Sequence, residues 1–446
     1  MQSPTQQPPT RSAAGRRTSL CAAAALALLT AASAALSAQT IAITGGKIYP
    51  VSGAPIENGT VLIRDGKIVA VGTNLSVPSD AQRIDAAGKW VTPGFINSGT
   101  QLGLVEIGQV ADTRDAFARG KERVAAAFTV WEGFNPASVL IPPARADGIT
   151  SVVLVPGGGL IAGQAALVDL IEGSTAQMLR RAPVAMVAQV GTSEQAGVTA
   201  RGELIVKLRE LLEDARSYSR RRSAYEARNT RDFAAGRLDL EALVPVVEGR
   251  VPMMIAADRG SDVQGALKLA RDFGLKIMIA GGADAWMVAQ ELAAAKVPVL
   301  TGAMNNIPNS FAALGTRQEN AGLLRRAGVP VAIIGNAGGG DEEAFNVRNL
   351  RFEAGNAVAY GMSWDDALRA VTLTPAELFG AANRVGSLQP GRDANVVVWS
   401  GDPFEFATRA EHVFVQGREF TTPSRQDLLI ERYKTLPPPY INNTHR

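Results

Sequence analysis

The feature that most constrains this chain is a series of short apolar runs separated by segments of helical character. Residues 204–219 and 263–273 carry apolar residues at helical spacing and lie between runs of strand length. Strand, loop and helix in this alternation predict parallel strands joined by helical crossovers, as in a (β/α) barrel. A doubly wound open sheet has the same local pattern and stays as the alternative. The apolar runs are residues 184–190, 251–257, 276–280, 297–301 and 329–335.

The first 38 residues have the composition of an export signal. A polar stretch ends in Arg16-Arg17, an apolar run follows over residues 20–36, and small residues lead to Ala38. Cleavage after Ala38 is predicted, with residues 32–34 as a competing site. A permanent membrane anchor is the alternative, which the shortness and alanine content of the run disfavour. The mature protein is expected to be exported, periplasmic or secreted, with no permanent membrane span.

The charge balance gives no reason to expect a nucleic-acid partner. The chain has 45 Lys and Arg against 42 Asp and Glu, and Arg11, Arg16 and Arg17 are the only charged residues before position 39. Removing these three arginines leaves 42 basic and 42 acidic residues, so no basic surplus remains. Cys21 is the only cysteine and lies in the same segment, which excludes disulfides and thiolate metal sites from the mature chain.

Short β-strands are predicted ahead of the barrel. Residues 41–49 and 59–72 are rich in β-branched and apolar residues, and Asp65-Gly66 between alternating apolar residues is typical of a tight hairpin. A further apolar strand, residues 91–102, contains a Pro-Gly pair and ends in small and polar residues. We interpret this last strand as the entry into the barrel.

The entry strand is the first of several segments that carry a family resemblance. Its sequence Pro-Gly-Phe-Ile-Asn-Ser-Gly-Thr-Gln is similar to the amidohydrolase superfamily pattern Pro-Gly-hydrophobic-Ile-Asp-x-His-x-His. Residues 363–380 resemble the last barrel helix of the family, and residues 383–403 resemble the strand that returns to its small domain, with Asn395 at an Asp position. The resemblance covers residues 41 to about 420 and is most like the imidazolonepropionase-like group.

The resemblance implies an α/β fold, namely a (β/α)8 TIM-like barrel with a small β-sandwich built from both chain ends. The expected divisions are a signal peptide at 1–38, the N-terminal segment of the β-sandwich at 39–93, the barrel at 94–384, the C-terminal segment of the β-sandwich at 385–421 and a C-terminal tail at 422–446. The barrel would thus be inserted into the small domain.

The resemblance also implies a metal-dependent chemistry. Family members hydrolyse C–N bonds, or related esters and amides, with one or two divalent metals that lower the pKa of a bound water. Histidine and carboxylate ligands suit Zn²⁺ in such a site. In this chain other residue types stand at the family's ligand positions, which are therefore vestigial: Gly99, Gln101, Thr192, Ala256, Gly281 and Asn336.

The histidine count leads to the same interpretation without any alignment. The chain has two histidines, His412 in the closing sandwich region and His445 in the tail, and neither is expected to reach the barrel mouth. The neutral amide oxygens of Gln101 and Asn336 are a poor match for catalytic zinc. No metal and no cofactor are expected, and no catalytic residue is assigned.

Acidic residues near the expected mouth leave a second chemistry open. Asp258, Asp284, Asp341 and Glu342 are weak pocket candidates. If they converge, their oxygens would suit Ca²⁺ or Mg²⁺, or would form an acid–base pair. Solvated loop acids or charges at helix N-termini are the favoured interpretation.

Two functional hypotheses follow from these observations. The first is an exported amidohydrolase-like pseudoenzyme with a degenerate metal site, acting as a non-catalytic binding or partner subunit. It would form a homo-oligomer or join an active amidohydrolase paralogue, and a small-molecule ligand is compatible with it. The second is a hydrolase acting on carbon–nitrogen bonds of the non-peptide or dipeptide type, using a non-standard or carboxylate-based site.

Overall fold

The computed structural model describes residues 40–118, 120, 123–191, 200–304, 308, 310–335, 344–420, 423 and 425–435. The strands are β1 (Thr40–Ile48), β2 (Ile56–Arg64), β3 (Lys67–Gly72), β4 (Gln82–Asp85), β5 (Trp90–Pro93), β6 (Phe95–Thr100), β7 (Ile149–Leu154), β8 (Ile161–Asp169), β9 (Leu179–Gln189), β10 (Met253–Ala257), β11 (Ile277–Gly281), β12 (Val299–Thr301), β13 (Val331–Ile333), β14 (Val396–Trp399), β15 (Ala410–Val415) and β16 (Arg418–Glu419).

Most helices lie between the barrel strands in sequence, and the last helix comes after the final strand of the small sheet. They are α1 (Ile141–Ala146), α2 (Thr175–Met178), α3 (Arg201–Arg220), α4 (Arg222–Glu226), α5 (Arg237–Val247), α6 (Gly260–Phe273), α7 (Ala289–Ala295), α8 (Asn320–Arg326), α9 (Leu350–Ala359), α10 (Trp364–Ala370), α11 (Leu373–Leu378) and α12 (Arg425–Tyr433). In the described ranges, none of them is long and apolar enough to cross a bilayer.

The small sheet draws strands from both ends of the described chain. Its order is β16-β15-β14-β5-β1-β2-β3, with β4 pairing alongside β1. Strand β14 pairs antiparallel with β5, so that Val398 lies opposite Val91. The predicted hairpin is confirmed, since Asp65 and Gly66 have φ angles of 51° and 73° and join β2 to β3. Positive φ at both central positions is what a type I′ turn requires.

The second sheet has the order β6-β7-β8-β9-β10-β11-β12-β13. Its two ends approach each other, because a Cβ built on Gly335, just after β13, would lie 2.8 Å from Asn97 Nδ2 on β6. The prediction of a TIM-like barrel with a small β-sandwich is therefore confirmed. The apolar runs predicted as strands correspond to β9 through β13.

One barrel strand departs from the all-parallel arrangement. Strand β8 is antiparallel to both β7 and β9, whereas the pairs from β9 to β13 are parallel. The turn from β7 to β8 spans only residues 155–160, which is too short for a helical crossover. The preceding segment lies along these strands instead, through single bridges from Phe117 to Gly157 and from Val124 to Ile161.

Helix α6 illustrates how the barrel cover forms. Its buried residues include Val263, Ala266, Leu267 and Ala270, which share one face at helical spacing. The helix ends at Gly274, whose left-handed φ of 58° terminates the last turn. The helix therefore packs one apolar stripe on the barrel and exposes the opposite side.

The barrel interior is filled with apolar side chains. Each strand contributes to one buried cluster, which residues after α10 extend. The strand members include Ile96, Val153, Ala165, Val187, Met254, Met278, Leu300 and Ala332. The interior is therefore a packed core, as in other barrels of this type, and any site lies at the carboxyl ends of the strands.

A buried ionic network joins the small sheet to the barrel, and we call it the junction network. Asp169 at the end of β8 accepts hydrogen bonds from Ser151 Oγ (2.7 Å), Arg180 Nε (3.0 Å) and Gln416 Nε2 (2.7 Å). Arg180 also pairs with Asp393 at 2.8 Å, and Asp393 in turn pairs with Lys67. The network thereby connects residues that are far apart in sequence.

Candidate functional site

The end of β6 lies where the family resemblance places the first metal ligands. A Cβ built on Gly99 would lie 3.9 Å from Ile334 Cγ2 and 4.0 Å from the Val155 methyl groups. Both of these side chains pack against the interior cluster of the barrel. Position 99 therefore faces the barrel interior, and its surroundings are apolar rather than polar.

The polar residues that flank Gly99 along the chain are buried and incompletely hydrogen-bonded. Gln101 is only 4% exposed, and its Oε1 has no hydrogen-bond partner in the described stretches of the chain. Within the same residues, Asn97 Nδ2 and Ser98 Oγ also lack a partner. Asn97 Oδ1 is used locally, since it accepts the Gly99 N–H at 3.2 Å. Buried polar atoms without partners are costly, so β6 is not optimised for stability here.

Small residues occupy the corresponding ends of β10 and β11. Ala256 lies beside Ala280 on one side and Gln189 on the other. Ala280 packs against the interior cluster, so its methyl group extends the apolar lining of the barrel. Gly281, the next residue, has no side chain to contribute. Neither alanine offers a metal ligand.

Gly281 has a conformation and a neighbour that both disfavour a side chain at this position. Its φ is 86°, a left-handed value that side chains disfavour. A Cβ at this position would lie 2.5 Å from Asp258 Oδ1, which is closer than real Cβ contacts. The Asp258 carboxylate therefore takes the space that a side chain at position 281 would need.

The structure brings together two of the predicted pocket acids, Asp258 and Asp284. The Asp284 N–H donates to the Asp258 carbonyl oxygen at 2.8 Å, and Asp258 Oδ1 accepts the Ala283 N–H at 3.3 Å. Burial raises the pKa of the Asp258 carboxyl; the N–H of Ala283 partly opposes this, and the negative charge of Asp284 adds to it. Asp258 is thus easier to protonate than an ordinary aspartate.

Asp284 is more deeply buried than Asp258. Its Oδ2 faces the Gly260 N–H at 3.5 Å, and its Oδ1 has no hydrogen-bond partner among the described residues. A Cβ built on Gly315 would lie 2.5 Å from that Oδ1, so Gly315 covers the carboxylate. The remaining predicted site residues, Thr192, Asn336, Asp341 and Glu342, lie outside the described residues.

The described residues do not fit the metal that the family chemistry uses. Histidine and carboxylate ligands suit that metal, yet Gly99 faces Val155 and Ile334, and Ala256 faces Ala280. Within the described residues, no three His, Cys, Asp or Glu side chains are grouped so that they would hold a metal ion. His412 lies on β15 in the small sheet, where its Nδ1 is 2.6 Å from Glu419 Oε1.

Glu353 is a buried acid near the mouth that the sequence reasoning missed. Its carboxylate on α9 accepts the N–H groups of Ala303 at 2.6 Å and Met304 at 2.8 Å, which follow β12. Burial raises the pKa of Glu353, although these N–H groups partly oppose the shift. A signal was available, because Glu353 shares a helical stripe with the buried residues Leu350 and Ala357.

Fold and site together define a class, a TIM-like barrel inserted into a small β-sandwich. A family model described as "Amidohydrolase family" matches residues 145–422. The chain belongs to the amidohydrolase family.

Individual relatives agree with this assignment. An imidazolonepropionase from Acidiphilium cryptum (strain JF-5) is 24% identical over 370 residues, covering 78% of this chain and 89% of the relative. Amidohydrolase tasK of Hapsidospora irregularis is 23% identical over 80% of this chain, which spans only 39% of that protein. The crystal structure of an amidohydrolase from Thermotoga maritima MSB8 has a TM-score of 0.78 and 26% identity, covering 86% of this chain and 100% of that one.

Proposed function

We propose that this chain is an exported, non-catalytic member of the amidohydrolase family whose barrel serves as a binding or partner subunit. The observation that carries the proposal is the apolar environment of Gly99, where Val155 and Ile334 take the surroundings expected for a metal ligand. The sequence supports it independently, since its two histidines lie at positions 412 and 445. The partner is an active amidohydrolase relative or a second copy, and the mouth remains compatible with a small-molecule ligand.

Gly281 supports the same proposal by a different route. If a metal ligand had only been lost at this position, the space of its side chain would be left open. Here the Asp258 carboxylate lies in the space of a side chain at position 281, and the backbone of Gly281 has a left-handed φ. In this proposal, neighbouring residues at the mouth fill the space of a missing ligand instead of leaving it open.

The experiment combines elemental analysis with turnover measurements on the mature protein. We expect no stoichiometric transition metal and no hydrolysis of cyclic amides or dipeptides, assayed beside an active imidazolonepropionase as the positive control. A transition metal bound at one equivalent per chain would overturn the proposal. Purification from the native host tests the partner, which should be recovered together with this chain. The N-terminal residue of the purified chain tests export, since Gln39 is expected if cleavage follows Ala38.

One observation favours a second function, hydrolysis of a C–N bond without the family metal. Asp258 lies at the mouth with its pKa raised by burial and by Asp284, and such an acid is suited to protonate a leaving nitrogen. If this chemistry operates, Asp258→Asn abolishes turnover without changing the far-UV circular dichroism. Absence of turnover in the wild-type protein on the same panel excludes it for these substrates.

A further inference from the structure

The sulfur chemistry of the mature chain depends on methionine. Cys21 lies in the predicted signal peptide, and eight of the nine methionines follow position 39. Oxidation converts the methionine thioether into a polar sulfoxide, and the oxidant has to reach the sulfur for this reaction. The exposure of each methionine in the folded protein therefore decides which of them an oxidant modifies first.

These eight methionines fall into two groups by exposure. Met287 is 53% exposed and Met304 is 46% exposed. The other six are at most 4% exposed, and they are Met178, Met186, Met253, Met254, Met278 and Met362. Six methionines are thus shielded from solvent by the packed protein, whereas the side chains of Met287 and Met304 are open to it.

Both exposed methionines lie at the barrel mouth. Met287 follows β11 and Met304 follows β12, and these two strands are parallel neighbours. The Met287 N–H donates to the Asp284 carbonyl oxygen at 3.0 Å. The Met304 N–H donates to Glu353 Oε2 at 2.8 Å. Since both backbones are held by hydrogen bonds, the two side chains are exposed in the folded mouth itself, and no local opening is needed.

Met287 has neighbours that a sulfoxide would disturb. A Cβ built on Gly315 would lie 2.5 Å from Met287 Cε and 2.5 Å from Asp284 Oδ1, so both atoms adjoin Gly315. That oxygen of Asp284 has no hydrogen-bond partner among the described residues. A sulfoxide oxygen only accepts hydrogen bonds and cannot donate one to a carboxylate. Oxidation of Met287 should therefore displace the loop at Gly315.

Trp286 is a natural reporter of that loop. Its Nε1 donates to the Gly315 carbonyl oxygen at 2.9 Å, and the Arg317 guanidinium stacks on its ring. Displacement of Gly315 changes the hydrogen bond and hence the environment of the indole. The state of Met287 can therefore be read from the fluorescence of the neighbouring tryptophan.

We propose that Met287 and Met304 are peroxide-sensitive modification sites, where oxidation changes two apolar side chains at the mouth into polar ones. With hydrogen peroxide, a sulfur lone pair attacks one peroxide oxygen and forms the S–O bond. The O–O bond breaks, and the other oxygen keeps the electron pair and both protons and leaves as water. The modification itself stands on exposure. Its use in regulating what the mouth binds rests on the proposed function.

The experiment treats the folded mature chain with hydrogen peroxide and follows the masses of the intact protein and of its peptides. We expect a plateau at two added oxygen atoms per chain, one on Met287 and one on Met304, before the six buried methionines react. Met287→Leu and Met304→Leu should each remove one of the two. The matched control Met362→Leu, at a buried position, should remove neither. Circular dichroism verifies that each variant is folded.

Tryptophan fluorescence tests the consequence at the mouth. Oxidation should shift the emission of the wild type and of Met304→Leu, but not the emission of Met287→Leu or of Trp286→Phe. Oxidation of the buried methionines as fast as the exposed pair would overturn the two modification sites. An unchanged wild-type emission after Met287 is oxidised, or a shift that persists in Met287→Leu, would overturn the effect on the mouth. These measurements need neither turnover nor a partner, so this inference and the proposed function can fail separately.

Discussion

The barrel mouth and the junction network place their polar groups in opposite ways. At the junction, Asp169 has donors from three residues, and Asp393 pairs with Lys67, Arg180 and Arg384. At the mouth, Gln101 Oε1 and Asp284 Oδ1 have no partner in the described residues. The difference teaches that the polar groups of the junction network are paired, whereas several of the described polar groups at the mouth are not.

The largest effect is expected at the junction, for Asp169→Ala. The change leaves Arg180 buried with only Asp393 to balance it, and it removes acceptors for Ser151 and Gln416. Breaking one side of a buried ion pair costs about 3–5 kcal/mol, so the free energy of unfolding in urea should fall by that amount. Asp80→Ala, in an exposed turn, is the control and should change it by less than about 0.5 kcal/mol. Similar losses in both variants would mean that the network is not what holds the two sheets together.

The next effect concerns the contact between position 281 and Asp258 at the mouth, and the variant that tests it is Gly281→Ala. Gly274→Ala is a matched control, since Gly274 also has a positive φ but has open space around its Cβ position. The backbone conformation alone costs about 1–2 kcal/mol. At position 281 the contact with Asp258 adds about 1–3 kcal/mol of overpacking. Adding Asp258→Ala to Gly281→Ala should recover the difference, and equal losses at positions 274 and 281 would contradict the account.

The two regions should also differ in the sign of their pH dependence. Burial alone would raise the pKa of Asp393, but the hydrogen bonds from Lys67 and Arg384 and the charge of Arg180 hold it below its ordinary value. Asp393 therefore contributes stability above its unfolded pKa that is lost as pH falls through the folded pKa. The pKa of Asp258 is raised, first by burial and further by Asp284. The folded state then binds more protons than the unfolded state above the ordinary aspartate pKa, so stability falls as pH rises through that window.

Unfolding free energies measured against pH test both signs with Asp393→Asn and Asp258→Asn. The first variant should lose some of the acid-side decline of the wild type. The second should lose some of the decline that begins just above the ordinary aspartate pKa. Curves that change in the same direction would contradict the contrast between the two regions.

Much of this contrast was predictable from the sequence, and the rest depends on contacts between distant residues. The apolar runs predicted β9 to β13 because strand length and burial are local properties. The antiparallel β8 was not predicted, although residues 155–160 leave too little chain for a crossover helix. The prediction that Gly99 and Ala256 are not metal ligands rests on their side-chain chemistry alone, and it stays a prediction. That Asp258 takes the space beside Gly281 follows only from the placement of neighbouring strands.

The smallest effect is expected from restoring the first two histidines, in a Gly99→His, Gln101→His variant. A Cβ at position 99 meets Val155 and Ile334 only at ordinary contact distance, and circular dichroism verifies that the variant is folded. Two imidazoles on one strand still fall short of the three protein ligands typical of catalytic zinc, and Ala256 and Gly281 add none. Zinc titration followed by calorimetry should therefore match the wild type, and hydrolysis should remain absent. Tight binding of one zinc ion per chain would contradict this expectation. It would show that the mouth still offers further metal donors, and that the mouth lacks only the two histidine side chains at positions 99 and 101.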